Sequence, residues 1–374
     1  MISGMNFDFS EDQKLLQKTA RDFLAEHSPL SVNREVLESG KDWNQELWKE
    51  TAQMGWQGAA IPESYGGAGF GHLELSLIAT EIGRSLAPIP FAASVYLATE
   101  AILLAGSDAQ KKKWLTALAS GGAVGTLALA EGPGFPSPAS LKTSFSGGKV
   151  SGKKIGVPAG NVASVAVVAA KSGSGVTLAL VDLAAGGVTR TPTESIDPTQ
   201  ANAELNFAGA PAEALGAEGK GFELLERVLD RAAVLLAWEQ LGGAERAFEI
   251  TREFAMGRYA FGRPIASFQA LKHRMADEYV ALELAKSNCY WGAWALSTDD
   301  PELAFAAPSA RVSATQAFDL TSVEMVQMHG GVGFTWEYDC HLFYRRAKQQ
   351  GLVIGTASHW REKLVQRLAA KQAA

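Results

Sequence analysis

The 374-residue chain carries a formal net charge of -6, and neither that charge nor any basic stripe gives an electrostatic footprint for nucleic acid. Hydrophobic residues make up 47% and charged residues 20%, the composition of a globular protein long enough for two or three compact units. The two cysteines, Cys289 and Cys340, stand far apart and outside any CxxC spacing, which argues against a disulfide framework or a metal-thiolate site and for a reducing cytoplasm.

The opening MISGMNFDFSEDQK is acidic and polar and lacks the apolar core of a signal peptide. No apolar run reaches the roughly eighteen residues of a membrane-spanning helix. Residues 9 to about 119 read as helices. Ser10 is a candidate N-cap with Glu11 and Asp12 in the first turn, followed by Leu15, Leu16, Ala20, Phe23 and Leu24 at helical spacing. NQELWKETAQMGWQG and HLELSLIATEIGRSL repeat this texture around a Pro/Gly-rich loop, and SDAQKKKWLTALASG closes the region. From about 120 to 218 the runs shorten to GTLALA, SVAVVAA, VTLALVDL and AELNF, with turn residues between them, which predicts an antiparallel sheet or small barrel. Helical periodicity returns over 221–256, 266–298, 301–329 and 357–371. Helices, then strands, then helices predict an α+β chain of three domains: 1–119 helical, 120–218 β, and 219–374 a four-helix bundle.

Familiar chemical motifs are missing. The cluster Gly66-Gly67-Ala68-Gly69-Phe70-Gly71 does not fit GxGxxG, GAEGKGF is not a Walker loop, and no GxSxG appears. Six scattered histidines without ligand spacing predict no metal site. Two segments are more specific. In GRYAFGRPIASFQALKHRMAD, Gly262 and Pro264 serve to break and restart a helix, but Arg258, Phe261 and Gln269 crowd the same junction. An arginine fork suits a pyrophosphate and an aromatic ring can stack on adenine. In QMHGGVGFTWEYDCHLFYRRAK, Gly330, Gly331 and Gly333 permit close backbone approach, and Gln327 supplies an amide one turn upstream.

Through RYAFGRPIASFQALKHRMAD, QMHGGVGFTWEYD, LGAEGKGF and MGWQGAAIPESYGGAG, the sequence resembles the acyl-CoA dehydrogenase family over nearly its whole length. The resemblance implies a helical, β, helical architecture and FAD held at a subunit interface, usually in dimers of dimers. It also implies α,β-desaturation of an acyl-CoA in fatty acid or steroid side-chain metabolism, with electrons passed to an acceptor flavoprotein. In that family a glutamate removes the α-proton while a β-hydride passes to the flavin. The position-by-position carry-over breaks at the glutamate. Its usual turn is here Val353-Ile354-Gly355-Thr356, so Ile354 occupies the acid's place, and the alternative position on the first long helix of the last domain is Ala232. The turn touching the isoalloxazine becomes Ala130-Glu131-Gly132. The segment packing on it becomes Gly156-Val157-Pro158, where Pro158 has no N–H and Gly156 no ring.

On the CoA-facing helix Asp230 matches, the family's arginine is Ala233, and Arg231 is the expected substitute. The retained cofactor contacts, Arg258, Phe261, Gln269, Gln327, Gly330 and Gly331, are those the family extends to a neighbouring subunit's FAD, with Thr356 as a further contact. The expected function is therefore an acyl-CoA dehydrogenase subunit in a homo- or hetero-oligomer, completing the FAD site of a chain that carries the base. The alternatives are a homo-oligomer using Glu239, seven residues beyond Ala232 and roughly 10 Å along the helix, or a non-catalytic scaffold. Against the first alternative stands a role for Glu239 in a polar network of the bundle.

Overall fold

The computed structural model describes residues 9–373. The signal-peptide argument, made largely on residues 1–8, lies outside the described residues. The first unit contains α1 (Glu11–His27), α2 (Leu30–Ser39), α3 (Gln45–Gln53), α4 (His72–Arg84), α5 (Glu100–Ala105) and α6 (Asp108–Ala119). Ser10 caps α1 as its position predicts. Its hydroxyl accepts from the Gln13 N–H, and the Gln13 side chain returns to the Ser10 N–H in a capping box. Ahead of α5, the almost wholly buried stretch Ala92–Thr99 winds as a π-helix. Among the described residues no helix is long and apolar enough to cross a membrane.

The middle unit is built from β1 (Gly125–Ala128), β2 (Ser144–Ser146), β3 (Lys149–Pro158), β4 (Val165–Ser172), β5 (Gly175–Asp182), β6 (Val188–Pro192) and β7 (Asn202–Leu215). Antiparallel pairing runs β4–β5–β7–β3–β2, with β6 against β7. Ser144 of β2 then returns to Lys171 of β4, which closes the sheet into a small barrel. That last contact and the β1–β4 pair are parallel, a departure from the all-antiparallel expectation. The stretch between β1 and β4 contains the β2–β3 hairpin, long enough for the crossover that parallel neighbours need.

The last unit holds α7 (Gly221–Gly257), α8 (Gln269–Ser297), α9 (Leu303–His329), α10 (Cys340–Leu352) and α11 (Ala357–Ala373). Four are the long helices of the expected bundle, and α10 is an additional one. Its inward face includes Arg346 and Gln350, both buried, so polar residues occupy positions where apolar periodicity would have marked a helix. The centre of α7, from Ala232 to Ala244, is buried on every side. It crosses α4 with backbone against backbone. A Cβ at Gly242 would fall 1.9 Å from the Thr80 oxygen, and one at Gly83 1.8 Å from the Glu239 oxygen. Glycine at both positions fixes the depth and rotation of α7.

One side chain joins all three units. Arg346 on α10 donates Nε to Asp197 in the β6–β7 loop, and Nη2 to Thr199 Oγ1 (3.0 Å) and to the Leu86 carbonyl (2.9 Å) just past α4. Arg346 and Asp197 are both buried. Removing one partner leaves an uncompensated charge in the interior, so Arg346→Met should destabilise the chain by about 3–5 kcal/mol. Arg346→Met/Asp197→Asn should recover much of that loss. Denaturant unfolding of the three chains measures both effects.

Candidate functional site

The ends of α7 and α9 meet where Phe254 stacks on His329, with ring centroids 4.0 Å apart. The chain leaves α7 at Arg258, whose carbonyl accepts from the Ile265 N–H (2.8 Å) across a hairpin pairing Tyr259–Ala260 with Arg263–Pro264. Gln269 then opens α8. Arg258, Phe261, Gln269, Gln327, Gly330 and Gly331 therefore share one end of the bundle, and all six are exposed. At the tip of the hairpin φ is +53° for Phe261 and +76° for Gly262, the pattern of a two-residue type I′ turn. A phenylalanine held there is strained by on the order of 1–3 kcal/mol. The residue is nevertheless 95% exposed, its ring lying edge-on to Phe268 with centroids 6.3 Å apart. Among the described residues a Cβ at Gly331 would meet nothing within 4 Å, so their packing does not call for glycine there.

The other group of expected site residues lies elsewhere on α7. From Ala232 to Arg258 is about 39 Å along the helix axis, so the two groups cannot form one site within a chain. Ile354 is buried and its carbonyl accepts from Trp360 Nε1 (3.0 Å). Ala232 is fully buried in the bundle. The Thr356 hydroxyl accepts from the His359 N–H (3.2 Å) and caps α11. Across from this turn, Phe135 stacks on His359 with centroids 4.2 Å apart and planes 23° apart. Neither Phe135 nor His359 stood out in the sequence; the only signal was a bulky ring in a Pro/Gly-rich loop.

Glu239, the candidate acid on α7, is tied into the interior. Oε1 accepts from Gln350 Nε2 (2.6 Å), Tyr96 lies beside the carboxyl, and among the described residues neither Oε2 nor the Tyr96 hydroxyl has a hydrogen-bond partner. Around them Arg311 donates to Gln240 Oε1 and the Gln350 carbonyl, and Thr315 donates to Gln240 (3.1 Å). Burial pushes the Glu239 carboxyl above its ordinary range, against the opposing pull of Arg346, Tyr96, Gln350 and Arg311. The cavity beside it, bordered by Ala93, Leu97, Pro158, Leu236 and Gln350, measures about 40 Å³. That is room for a water molecule, where ligand pockets run to roughly 300–1,000 Å³.

The two expected substrate contacts are engaged within the chain. Asp230 accepts from Arg367 (2.8 and 3.1 Å) and pairs with Lys363 (3.1 Å), both on α11. Burial raises its pKa, and those cations oppose the rise. Arg231 does not project as a substitute phosphate fork. It turns to Glu100 (2.6 Å), His72 (3.1 Å) and Asp299 (3.6 Å), which engages all three of its nitrogens. Burial alone would raise Glu100, but His72 and Arg231 outweigh it and hold the carboxyl at about 2. Among the described residues no group of three or more potential ligands could hold a metal ion, and both cysteines are free and buried.

The profile of the acyl-CoA dehydrogenase N-terminal domain matches residues 10–122, and that of the C-terminal domain matches residues 219–369. The chain belongs to the acyl-CoA dehydrogenase family. It is 32% identical over 344 residues to acyl-CoA dehydrogenase IpdE2 of Mycobacterium tuberculosis, covering 90% of this chain and 91% of that relative. Among solved structures it resembles butyryl-CoA dehydrogenase from Megasphaera elsdenii, with a TM-score of 0.90 and 26% identity over 98% of this chain and 100% of that one. It also resembles a chain of the ChsE4–ChsE5 complex from Mycobacterium tuberculosis, with a TM-score of 0.88 and 27% identity over 98% and 99%. The activity is that of an acyl-CoA dehydrogenase, and members of this family are FAD-dependent flavoproteins.

The two ends of this acyl-CoA dehydrogenase fit FAD unequally. At the exposed end, an arginine fork, two amides, an outward ring and glycines whose missing side chains leave open space suit a dinucleotide approaching from outside the chain. In the chain's own half, Pro158 lacks an N–H and its carbonyl already accepts from Thr126 Oγ1, while Gly156 presents no ring. These two positions do not fit a flavin.

Glu239 also makes the pH dependence of stability a test of its surroundings. Because the folded pKa is raised, its contribution is fully present below the unfolded value near 4.5 and is lost as pH rises through the folded value. Glu239→Gln should therefore lose less stability than the wild type as pH rises from about 4.5 toward neutrality, read from denaturation midpoints across that range.

Proposed function

We propose that this chain is the completing subunit of an FAD-dependent acyl-CoA dehydrogenase whose partner chain, of the same fold, carries the catalytic carboxylate. The observation that carries this reading is Phe261, held in a strained left-handed turn and 95% exposed at the end where Arg258, Gln269, Gln327 and Gly330 also project. The hairpin accounts for the left-handed backbone, but a strained and exposed phenylalanine in place of the small residue such a turn favours is best accounted for by a surface that arrives from outside. The likeness to a chain of the ChsE4–ChsE5 complex supports a hetero-oligomer. The substrate class is an acyl-CoA thioester and the electron acceptor a second flavoprotein. Two unpaired cysteines support a reducing compartment such as the cytoplasm.

In this reading each residue has a defined task at the partner's cofactor. When bound, FAD supplies the hydride acceptor. Arg258 would donate paired hydrogen bonds to a pyrophosphate, Gln269 and Gln327 would offer amide donors and acceptors, and Phe261 would cover an apolar ring face. Gly330 and Gly331 bring backbone close without a side chain in the way. Proton abstraction falls to the partner, because Ile354 and Ala232 carry no acid and the carboxyl of Glu239 is enclosed beside a 40 Å³ cavity.

Two measurements test this. Native mass spectrometry with a visible spectrum should show a mixed assembly holding fewer than one FAD per chain. A homomeric assembly with one FAD per chain and full activity would reject the proposal. A colourless protein with every candidate partner would leave only the scaffold. In the mixed assembly, Arg258→Ala should weaken FAD retention by about tenfold or more, the scale of a lost hydrogen bond to a charged group.

A further inference from the structure

We infer that Phe135, stacked on His359, plugs the cleft in which this chain's own half would otherwise receive a flavin ring. The inference rests on the reading above and names the device that enforces it.

The ring is delivered by a stiff loop. At its base the Glu131 carboxylate accepts from the Lys142 N–H (2.5 Å), the Thr143 N–H (3.1 Å) and Lys154 Nζ (2.6 Å). Burial would raise the Glu131 carboxyl, but these contacts hold it at about 2. Further along, Ser137 and Ser140 exchange backbone-to-hydroxyl bonds of 2.9 and 3.2 Å, and Lys171 donates to the Ala139 carbonyl (3.1 Å). Pro133, Pro136 and Pro138 restrict the backbone between these anchors.

The surface that receives the ring is equally fixed. At Gly355 φ is +101°, and a Cβ there would lie 2.8 Å from His359 Cδ2 and 3.4 Å from Phe135 Cδ2. Glycine is thus needed for His359 to fold back onto the turn, and Phe135 reaches ordinary contact distance of that turn. The loop after Ala130–Gly132 and the turn at Gly355–Thr356 are thereby bridged by one phenyl ring and one imidazole. A planar cofactor between two walls needs about 7 Å, two contacts of roughly 3.5 Å each. The phenyl–imidazole stack, with centroids 4.2 Å apart, joins the two walls directly.

The test uses the full-length chain purified alone and titrated with FAD, following flavin fluorescence and the FAD retained after desalting. Phe135→Ala/His359→Ala should bind FAD at least tenfold more tightly than wild type, Phe135→Ala alone should move the same way, and Phe135→Tyr should match wild type. If folded variants with unchanged circular dichroism and native mass bind FAD no better than wild type, the plug is overturned while the completing-subunit reading stands. Wild type that already retains one FAD per chain would overturn both.

Discussion

A straight helix cannot bring its own ends together. α7 has 37 residues and spans about 55 Å, and each region of it serves a different surface. Its central and N-terminal parts face α10, α11 and the N-terminal helices, while its last turn presents Arg258 beside the end of α9. The glycine crossing fixes this helix against α4, and Gln350 ties it to α10, which the Arg346 clamp holds against the other two units. On the proposed reading, the Arg258 end therefore serves a cleft that belongs to another chain.

Within the chain, polarity has been turned inward. In a catalytic carboxylate, burial raises the pKa and an open pocket lets substrate reach the base. Glu239 has the first condition without the second: Gln350, Tyr96 and the Arg311–Gln240 pair surround it. Asp230 and Arg231 show the same conversion, their charges answered by Lys363, Arg367, Glu100 and His72. Groups that could have met a ligand instead stitch helices together.

Much of this was legible in the sequence. Ser10, the glycines after helical runs and the change to strand-length segments marked three units, and the acids missing at Ile354 and Ala232 were visible once the flanking motifs set the register. Other features depend on contacts between distant segments. α10 stayed hidden because Arg346 and Gln350 occupy inward positions, and only the folded chain shows that Asp197, Leu86 and Glu239 receive them. The parallel β1–β4 pair follows from barrel closure, which no local pattern reports. Arg231 looked available because its partners Glu100 and His72 come from another domain.

Gly331 sits where none of the described residues would object to a side chain. On the proposed reading, the bare backbone there has a use only when two polypeptides lie side by side. On that reading, robustness of the isolated fold and fitness of the joint enzyme are separate demands, and a side chain at this corner would spoil the second while leaving the first intact.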